Sequence, residues 1–108
     1  MAAPKKDKVV DMMYLSIYRK EGDVLVAACD SDVIGRSFRE GAVKIDVSAG
    51  FYGDRLMPVA ELGKVLASAT IANLTGNRVV SHAVEEGFID GGCVLEVSGV
   101  KHAQLVLV

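Results

Sequence analysis

Nucleophilic chemistry is the most specific activity that three residues of this chain could support. Cys29 can serve as a nucleophile, and His102 can act as its base if the fold brings the two side chains together. Asn73 joins them in this hypothesis, which predicts an enzyme of unassigned class. The alternative is structural: Cys29 is a small buried hydrophobe, and His102 shares the polar face of an edge strand with Gln104. The sequence leaves both alternatives open.

A second group of residues combines cations with aromatic rings. Arg36, Phe38 and Arg39 lie in one short segment, and Phe51 and Tyr52 follow in a glycine-rich loop. Rings that stack on bases and arginines that contact phosphates are typical of single-stranded RNA binding. An arginine stacked on an aromatic ring can equally hold a loop in place. The candidate residues for RNA contact are therefore Arg36, Phe38, Arg39, Phe51 and Tyr52, and Lys101 and His102 are further candidate binding residues.

Two polar residues fall on the apolar face of a predicted helix. The segment from Val59 to Thr75 has apolar residues at helical spacing, and Thr70 and Asn73 lie on the same face. A buried amide needs a hydrogen-bond partner. Either Thr70 bonds back to a helix carbonyl and Asn73 serves the turn before Gly76, or both face a ligand. Both residues are therefore candidate site residues.

No segment matches a metal, phosphate or nucleotide motif. Asp30, Ser31 and Asp32 begin like a calcium loop, but Ile34 and Gly41 occupy its fifth and twelfth positions. The chain has no nucleophile-elbow, P-loop or dinucleotide-binding pattern. We therefore predict neither a metal site nor a cofactor.

Composition indicates a soluble protein of one domain. The chain has 108 residues, 51% of them hydrophobic, and a net charge of −2. The first eleven residues contain three Lys and two Asp, so the remainder carries −3, which argues against strong electrostatic DNA binding but leaves weak RNA contact open. The two cysteines form no C-x-x-C motif, no apolar stretch reaches about 18 residues, and no secretory signal is recognisable. We expect a cytoplasmic protein without a membrane partner.

Hydrophobic periodicity predicts the elements that must position these residues. Residues 1–11 are polar and aperiodic, which predicts a flexible tail before one domain over residues 12–108. The predicted elements are a hairpin over Met13–Cys29, a strand over Val43–Val47, helices over Val59–Leu74 and Arg78–Glu86, and two C-terminal strands. The order β-β-β-α-α-β-β predicts an α+β two-layer sandwich, in which a mostly antiparallel sheet carries two consecutive helices packed on one face.

Several segments together resemble one known family. They are LSIYRKEGDVLVAACD, FREG, FYG, ATIANLTG and GVKHAQ, and they span roughly Met12 to Gln104. Their order and spacing resemble an archaeal family of small conserved proteins, the domain of unknown function 424. The resemblance implies an archaeal, cytoplasmic protein with a compact α+β fold. It supplies no activity, cofactor or active site, and residues 1–11 extend beyond the start of the family pattern.

Three functions fit the sequence. The first is a non-enzymatic binding module for RNA or a translation-related protein, using the loops Arg36–Gly41 and Phe51–Arg55. The second is an enzyme that uses Cys29, Asn73 and His102. The third is a homodimer formed through an apolar helix face or the C-terminal strand. The fold discriminates between the first two, because cations and rings on one face favour binding, whereas a shared pocket favours catalysis.

Overall fold

A six-stranded sheet forms the centre of the protein in the computed structural model, which describes residues 11–106. Eight strands lie within these residues: β1 (Met12–Lys20), β2 (Asp23–Asp30), β3 (Ser37–Glu40), β4 (Val43–Asp46), β5 (Arg55–Pro58), β6 (Ile71–Thr75), β7 (Leu95–Val97) and β8 (Val100–Val106). The α-helices among them are α1 (Ala49–Tyr52), α2 (Leu62–Leu66) and α3 (Asn77–Glu85). The sheet order is β5-β1-β2-β6-β8-β7, and only β2 and β6 run parallel. The predicted α+β fold with a mostly antiparallel sheet is confirmed.

The first two strands form the predicted hairpin. A two-residue turn joins them, and both turn residues have positive φ, as the twist of a tight hairpin requires. In β2, Val26 and Ala28 point to one face of the sheet, whereas Ala27 and Cys29 point to the other. All four side chains are fully buried. This strand is therefore covered on both faces of the sheet.

The two faces of the sheet have different covers. On the first, which we call the helix face, α2 and α3 pack through residues such as Leu62 and Val80. On the second, which we call the hairpin face, α1 and the β3–β4 hairpin cover only part of the sheet. There Val47 and Tyr52 pack in the same cluster as Cys29. Strand alternation assigns every sheet residue to one of these two faces.

The predicted helix over Val59–Leu74 is wrong in its second half. A short 3-10 turn and α2 account for the first half, which ends at Leu66, and β6 begins at Ile71. The segment contains both apolar residues at helical spacing and a short alternation of the kind that strands show. It forms a strand because it lies between β2 and β8, and its backbone bonds to both of them. The element order is therefore β-β-β-β-α-β-α-β-α-β-β. The helices α2 and α3 are not consecutive, although both pack on the helix face.

The second predicted helix is confirmed as α3. Gly87 follows its end with a φ of +84°, as expected for a helix stop. The carboxylate of Asp30 caps the helix, because it accepts backbone N–H groups of the first turn. Asn77 instead donates to the carbonyl of Gly99 at 3.0 Å and accepts from the N–H of Lys101 at 2.9 Å. The side chain of Asn77 thus ties α3 to β8.

The predicted tail lies outside the described residues, except for its last member, Asp11. The carbonyl of Asp11 accepts the N–H of Val59 at 2.8 Å. Its carboxylate lies 3.5 Å from Nε of Arg78. Asp11 therefore belongs to the folded body.

Candidate binding surface on the hairpin face

The register of the sheet brings Cys29, Thr75 and His102 into one row. Thr75 pairs with Cys29 of β2 and with His102 of β8, so all three side chains lie on the hairpin face. Asn73 lies on the same face one row away, because it precedes Thr75 by two residues in β6. The fold therefore places the three residues predicted for nucleophilic chemistry on one face.

Thr75, however, separates Cys29 from His102. Oγ1 of Thr75 lies 2.8 Å from Nδ1 of His102 and 3.0 Å from the hydroxyl oxygen of Tyr52. Cys29 is fully buried, and this burial, together with the nearby Asp30 carboxylate, raises the pKa of its thiol to about 12. A thiol in this state is protonated at neutral pH and is a poor nucleophile. The row therefore satisfies a buried hydroxyl group and does not form an activated thiolate.

The second cysteine is not part of this row. Cys93 is exposed and lies in a 3-10 turn before β7. Both cysteines are free thiols.

Two side-chain amides lie side by side on the hairpin face. Asn73 of β6 pairs directly with Gln104 of β8. Asn73 is half-buried and Gln104 is exposed, and neither amide makes a hydrogen bond to another group within residues 11–106. Each amide offers a donor and an acceptor. The pair can therefore hold the polar edge of a ligand.

Thr70, the other polar residue predicted on the same helix face as Asn73, holds two strands together. Its hydroxyl oxygen accepts the N–H of Val24 at 2.9 Å and lies 3.0 Å from the carboxylate of Asp23. These bonds fasten the segment before β6 to the start of β2. The hydroxyl of Thr70 thus has hydrogen-bond partners in the protein, whereas the amide of Asn73 has none among the residues that the structure describes.

An exposed aromatic stack lies on the same face as the amide pair. The rings of Tyr18 and Phe51 are nearly parallel, with centroids 5.5 Å apart, and Tyr52 meets Phe51 edge-on at 5.0 Å. Tyr18 is 41% exposed, and its hydroxyl donates to the carbonyl of Phe51 at 2.6 Å. Tyr52 is only 4% exposed, and burial raises the pKa of its phenol. A planar ligand can therefore stack on Tyr18 or Phe51, but not on Tyr52.

The predicted cations do not join the aromatic stack. The guanidinium of Arg36 lies over the ring of Phe38, 5.1 Å from its centroid, which is the loop-holding arrangement. Arg39 is exposed on the hairpin, where it pairs across the strands with Lys44. Lys101 lies on the helix face, where its ammonium contacts α3. Lys101 therefore does not share a face of the sheet with the rings of Phe51 and Tyr52.

Three further residues belong to this surface although the sequence argument did not select them. Alternation in the first strand already places Tyr18 among its polar-side residues, and Gln104 shares a strand face with His102. Lys20 lies on the same face as Tyr18, two residues later, and forms no ion pair within the described part of the chain. The resulting set, which we call the open sheet surface, consists of Tyr18, Lys20, Phe51, Asn73, His102 and Gln104.

The stability of the fold should depend on pH through His102. Burial lowers the pKa of its imidazole in the folded protein. In the unfolded chain the imidazole has its ordinary pKa of about 6.5, so it is protonated at a higher pH than in the folded protein. The unfolded state then binds more protons in this window, and the free energy of unfolding should fall as the pH drops below about 6.5. We expect His102→Gln, which keeps a polar group beside Thr75, to flatten this profile. Urea denaturation across the pH range tests this, and equal slopes for both proteins would contradict it.

Within residues 11–106, no three His, Cys, Asp or Glu side chains come together as a metal-binding group. No helix in the same part of the chain is long and apolar enough to cross a membrane.

A sheet covered by helices on one face and half open on the other defines a small α+β domain. The chain belongs to the family described as protein of unknown function DUF424, whose model matches residues 18–108, so the predicted resemblance is confirmed. A crystal structure of an uncharacterized conserved protein from Methanopyrus kandleri has a similar fold, with a TM-score of 0.71 and 21% sequence identity. The similarity covers 87% of this chain and 90% of that one. No curated protein matches the sequence.

Proposed function

We propose that this protein is a binding module for single-stranded RNA and that the open sheet surface is its binding site. The observation that carries the proposal is an exposed aromatic stack on the same sheet face as two amides that have no hydrogen-bond partner among residues 11–106. Single-stranded RNA presents unstacked bases, which proteins recognise by stacking on rings and by hydrogen bonds to base edges. Phe51, Asn73 and His102 are retained from the sequence-derived candidates, and Tyr18 and Gln104 join them.

Tyr18 and Phe51 supply the stacking platform. A base stacked on an aromatic side chain gains roughly 1–3 kcal/mol, with little dependence on its identity. The two rings already stack on each other, and the hydrogen bond from the Tyr18 hydroxyl to the Phe51 carbonyl fixes their relative position. Binding therefore costs this platform little side-chain entropy.

Asn73 and Gln104 supply contacts to base edges. The edge of an unpaired base places donors and acceptors next to each other, which a side-chain amide can match. Directly opposed residues in a sheet have Cβ atoms about 4.5–5.5 Å apart, so both amides can reach one base or two neighbouring bases. Neither amide has to give up a hydrogen bond to a described residue when it binds.

The negative net charge of the chain limits the electrostatic contribution to RNA affinity. The chain outside its first eleven residues carries −3, and Lys20 is the cation that the open sheet surface presents. Only one or two phosphates can be neutralised, so log K should fall with log salt by a slope of about 0.7–1.4, at ~0.7 per phosphate. We therefore expect weak binding that depends on stacking and hydrogen bonds more than on ionic strength.

Asn73→Leu should weaken RNA binding up to about tenfold and leave the fold intact. One lost hydrogen bond costs roughly 0.5–1.5 kcal/mol, and ~1.4 kcal/mol corresponds to a factor of ten. Leucine fits a half-buried strand position, so the midpoint of urea denaturation should change little. Fluorescence anisotropy with a short labelled single-stranded RNA at two salt concentrations measures the affinity and the salt slope.

The double variant Arg39→Ala with Lys44→Ala is the matched control for this experiment. It removes two exposed cations from the hairpin, outside the open sheet surface, and should leave the affinity nearly unchanged. If this double variant lost RNA binding and Asn73→Leu did not, RNA would bind to the hairpin and not to the open sheet surface. No binding at tens of micromolar protein and low salt would reject RNA as the ligand.

A further inference from the structure

A cavity of about 790 Å³ lies where β5 pairs with β1, at one end of the sheet. Its floor is apolar, with Met12 and Tyr14 from β1 and Leu56 and Pro58 from β5. Leu56 is 50% exposed, although a leucine side chain gains stability from burial. None of these residues belongs to the open sheet surface. Exposed apolar side chains around a cavity mark an interaction site, so a second ligand of different chemistry is expected here.

Two carboxylates at the rim of this cavity restrict the chemistry of its occupant. Asp11 and Asp32 both line the cavity and both are exposed. Asp11 shares an ion pair with Arg78 at 3.5 Å. The carboxylate of Asp32 has no ion pair within residues 11–106, since Arg36 reaches only its backbone carbonyl, at 3.4 Å. Negative charge at the rim attracts a cation and disfavours a phosphate.

The free edge of β5 restricts the shape of the occupant. β5 is the last strand on its side of the sheet, and its outer edge pairs with no strand among the described residues. An open edge of this kind accepts an extended peptide through backbone hydrogen bonds. Every second side chain of an added strand would then lie on the hairpin face, as Leu56 does, beside the cavity.

We propose that the edge of β5 binds an extended segment of a partner protein in which apolar and basic residues alternate. An aliphatic side chain of that segment packs on the apolar floor of the cavity, and a lysine or arginine lies beside Asp32. The inference is independent of RNA binding, because it uses different residues and a ligand of opposite charge.

The test uses a short labelled peptide in which lysine and valine alternate, titrated into the full chain and followed by fluorescence anisotropy. Replacing each valine by glycine keeps the charge and removes the apolar side chains, and should weaken binding about tenfold, the value of one buried valine side chain. Replacing each lysine by glutamate should abolish binding. Equal affinity for the valine and glycine peptides would overturn the proposal, because binding would then be charge attraction alone.

A comparison of Leu56→Lys with Leu95→Lys tests whether the peptide binds at the cavity. Leu95 is a matched control, since it is 46% exposed and lies on the same face at the opposite edge of the sheet, in β7. Leu56→Lys should weaken peptide binding about tenfold or more, whereas Leu95→Lys should leave it unchanged. Asp32→Asn provides a second variant that does not alter the apolar floor, and it should also weaken binding. An equal effect of the two leucine variants, or no effect of Asp32→Asn, would overturn the proposal.

Discussion

Gly76→Ala should destabilise the protein by about 2–5 kcal/mol, from backbone strain of roughly 1–3 kcal/mol and a lost helix cap of roughly 0.5–2 kcal/mol. Gly76 has a φ of +117°, which L side chains rarely adopt. A Cβ at this position would also lie within 2.7 Å of three atoms of Asp30. The carboxylate of Asp30 would have to move, and it accepts the N–H groups of Arg78 and Val79 at 3.0 and 2.8 Å. The substitution therefore strains the backbone and uncaps α3 at the same time.

Gly87→Ala separates these two effects. Gly87 also has a positive φ, +84°, but no atom lies within 4 Å of a Cβ built there. Only the backbone strain remains, and the expected loss is about 1–2 kcal/mol. The midpoint and slope of urea denaturation give both values. Equal losses for Gly76→Ala and Gly87→Ala would show that the contact with Asp30 contributes nothing.

Thr75→Val should cost about 2–6 kcal/mol, because it leaves two polar groups without their partner at roughly 1–3 kcal/mol each. The hydroxyl of Thr75 is fully buried and lies between the Tyr52 hydroxyl and Nδ1 of His102. Valine has the shape of threonine but cannot take either hydrogen bond. The loss should appear in urea denaturation without a change in the secondary structure seen by circular dichroism.

A double-mutant cycle tests whether the two hydroxyl groups interact. Tyr52→Phe removes the phenolic hydroxyl and leaves the ring against Phe51. Once Thr75→Val is present, Tyr52→Phe should cost less than it does alone, because no partner remains for the hydroxyl to lose. Fully additive losses would contradict the hydrogen-bonded row as described.

Much of the fold could be predicted from the sequence, namely the elements whose local sequence pattern agrees with the tertiary structure. The β1–β2 hairpin combines clear alternation with a turn whose geometry needs Gly22 at positive φ. Helix α3 combines a narrow apolar face with a stop at Gly87. The segment Ile71–Thr75 was predicted wrongly because five alternating residues cannot outweigh a helical spacing that begins at Val59. Only the neighbouring strands, β2 and β8, make that segment a strand.

The site could be predicted only in part, because strand register and the burial of individual side chains are tertiary properties. The helical spacing predicts that Asn73 is a polar residue on a buried helix face, whereas it lies on the half-open face of a strand. Its partner Gln104 could not be assigned to it, because β6 and β8 are distant in the chain and their register is a tertiary property. Tyr52 and Phe51 are neighbours in sequence, yet one is buried and the other half-exposed. Sequence alone does not indicate which ring a base could reach.

Mapping of backbone amide chemical shifts while a short single-stranded RNA is added tests whether RNA binds on the open sheet surface. We expect the largest changes near Tyr18, in α1, and around Asn73 and Gln104 in β6 and β8. We expect β5 and the helix face to change little. Changes confined to the β3–β4 hairpin or to the helix face, or no changes at saturating RNA, would contradict this proposal.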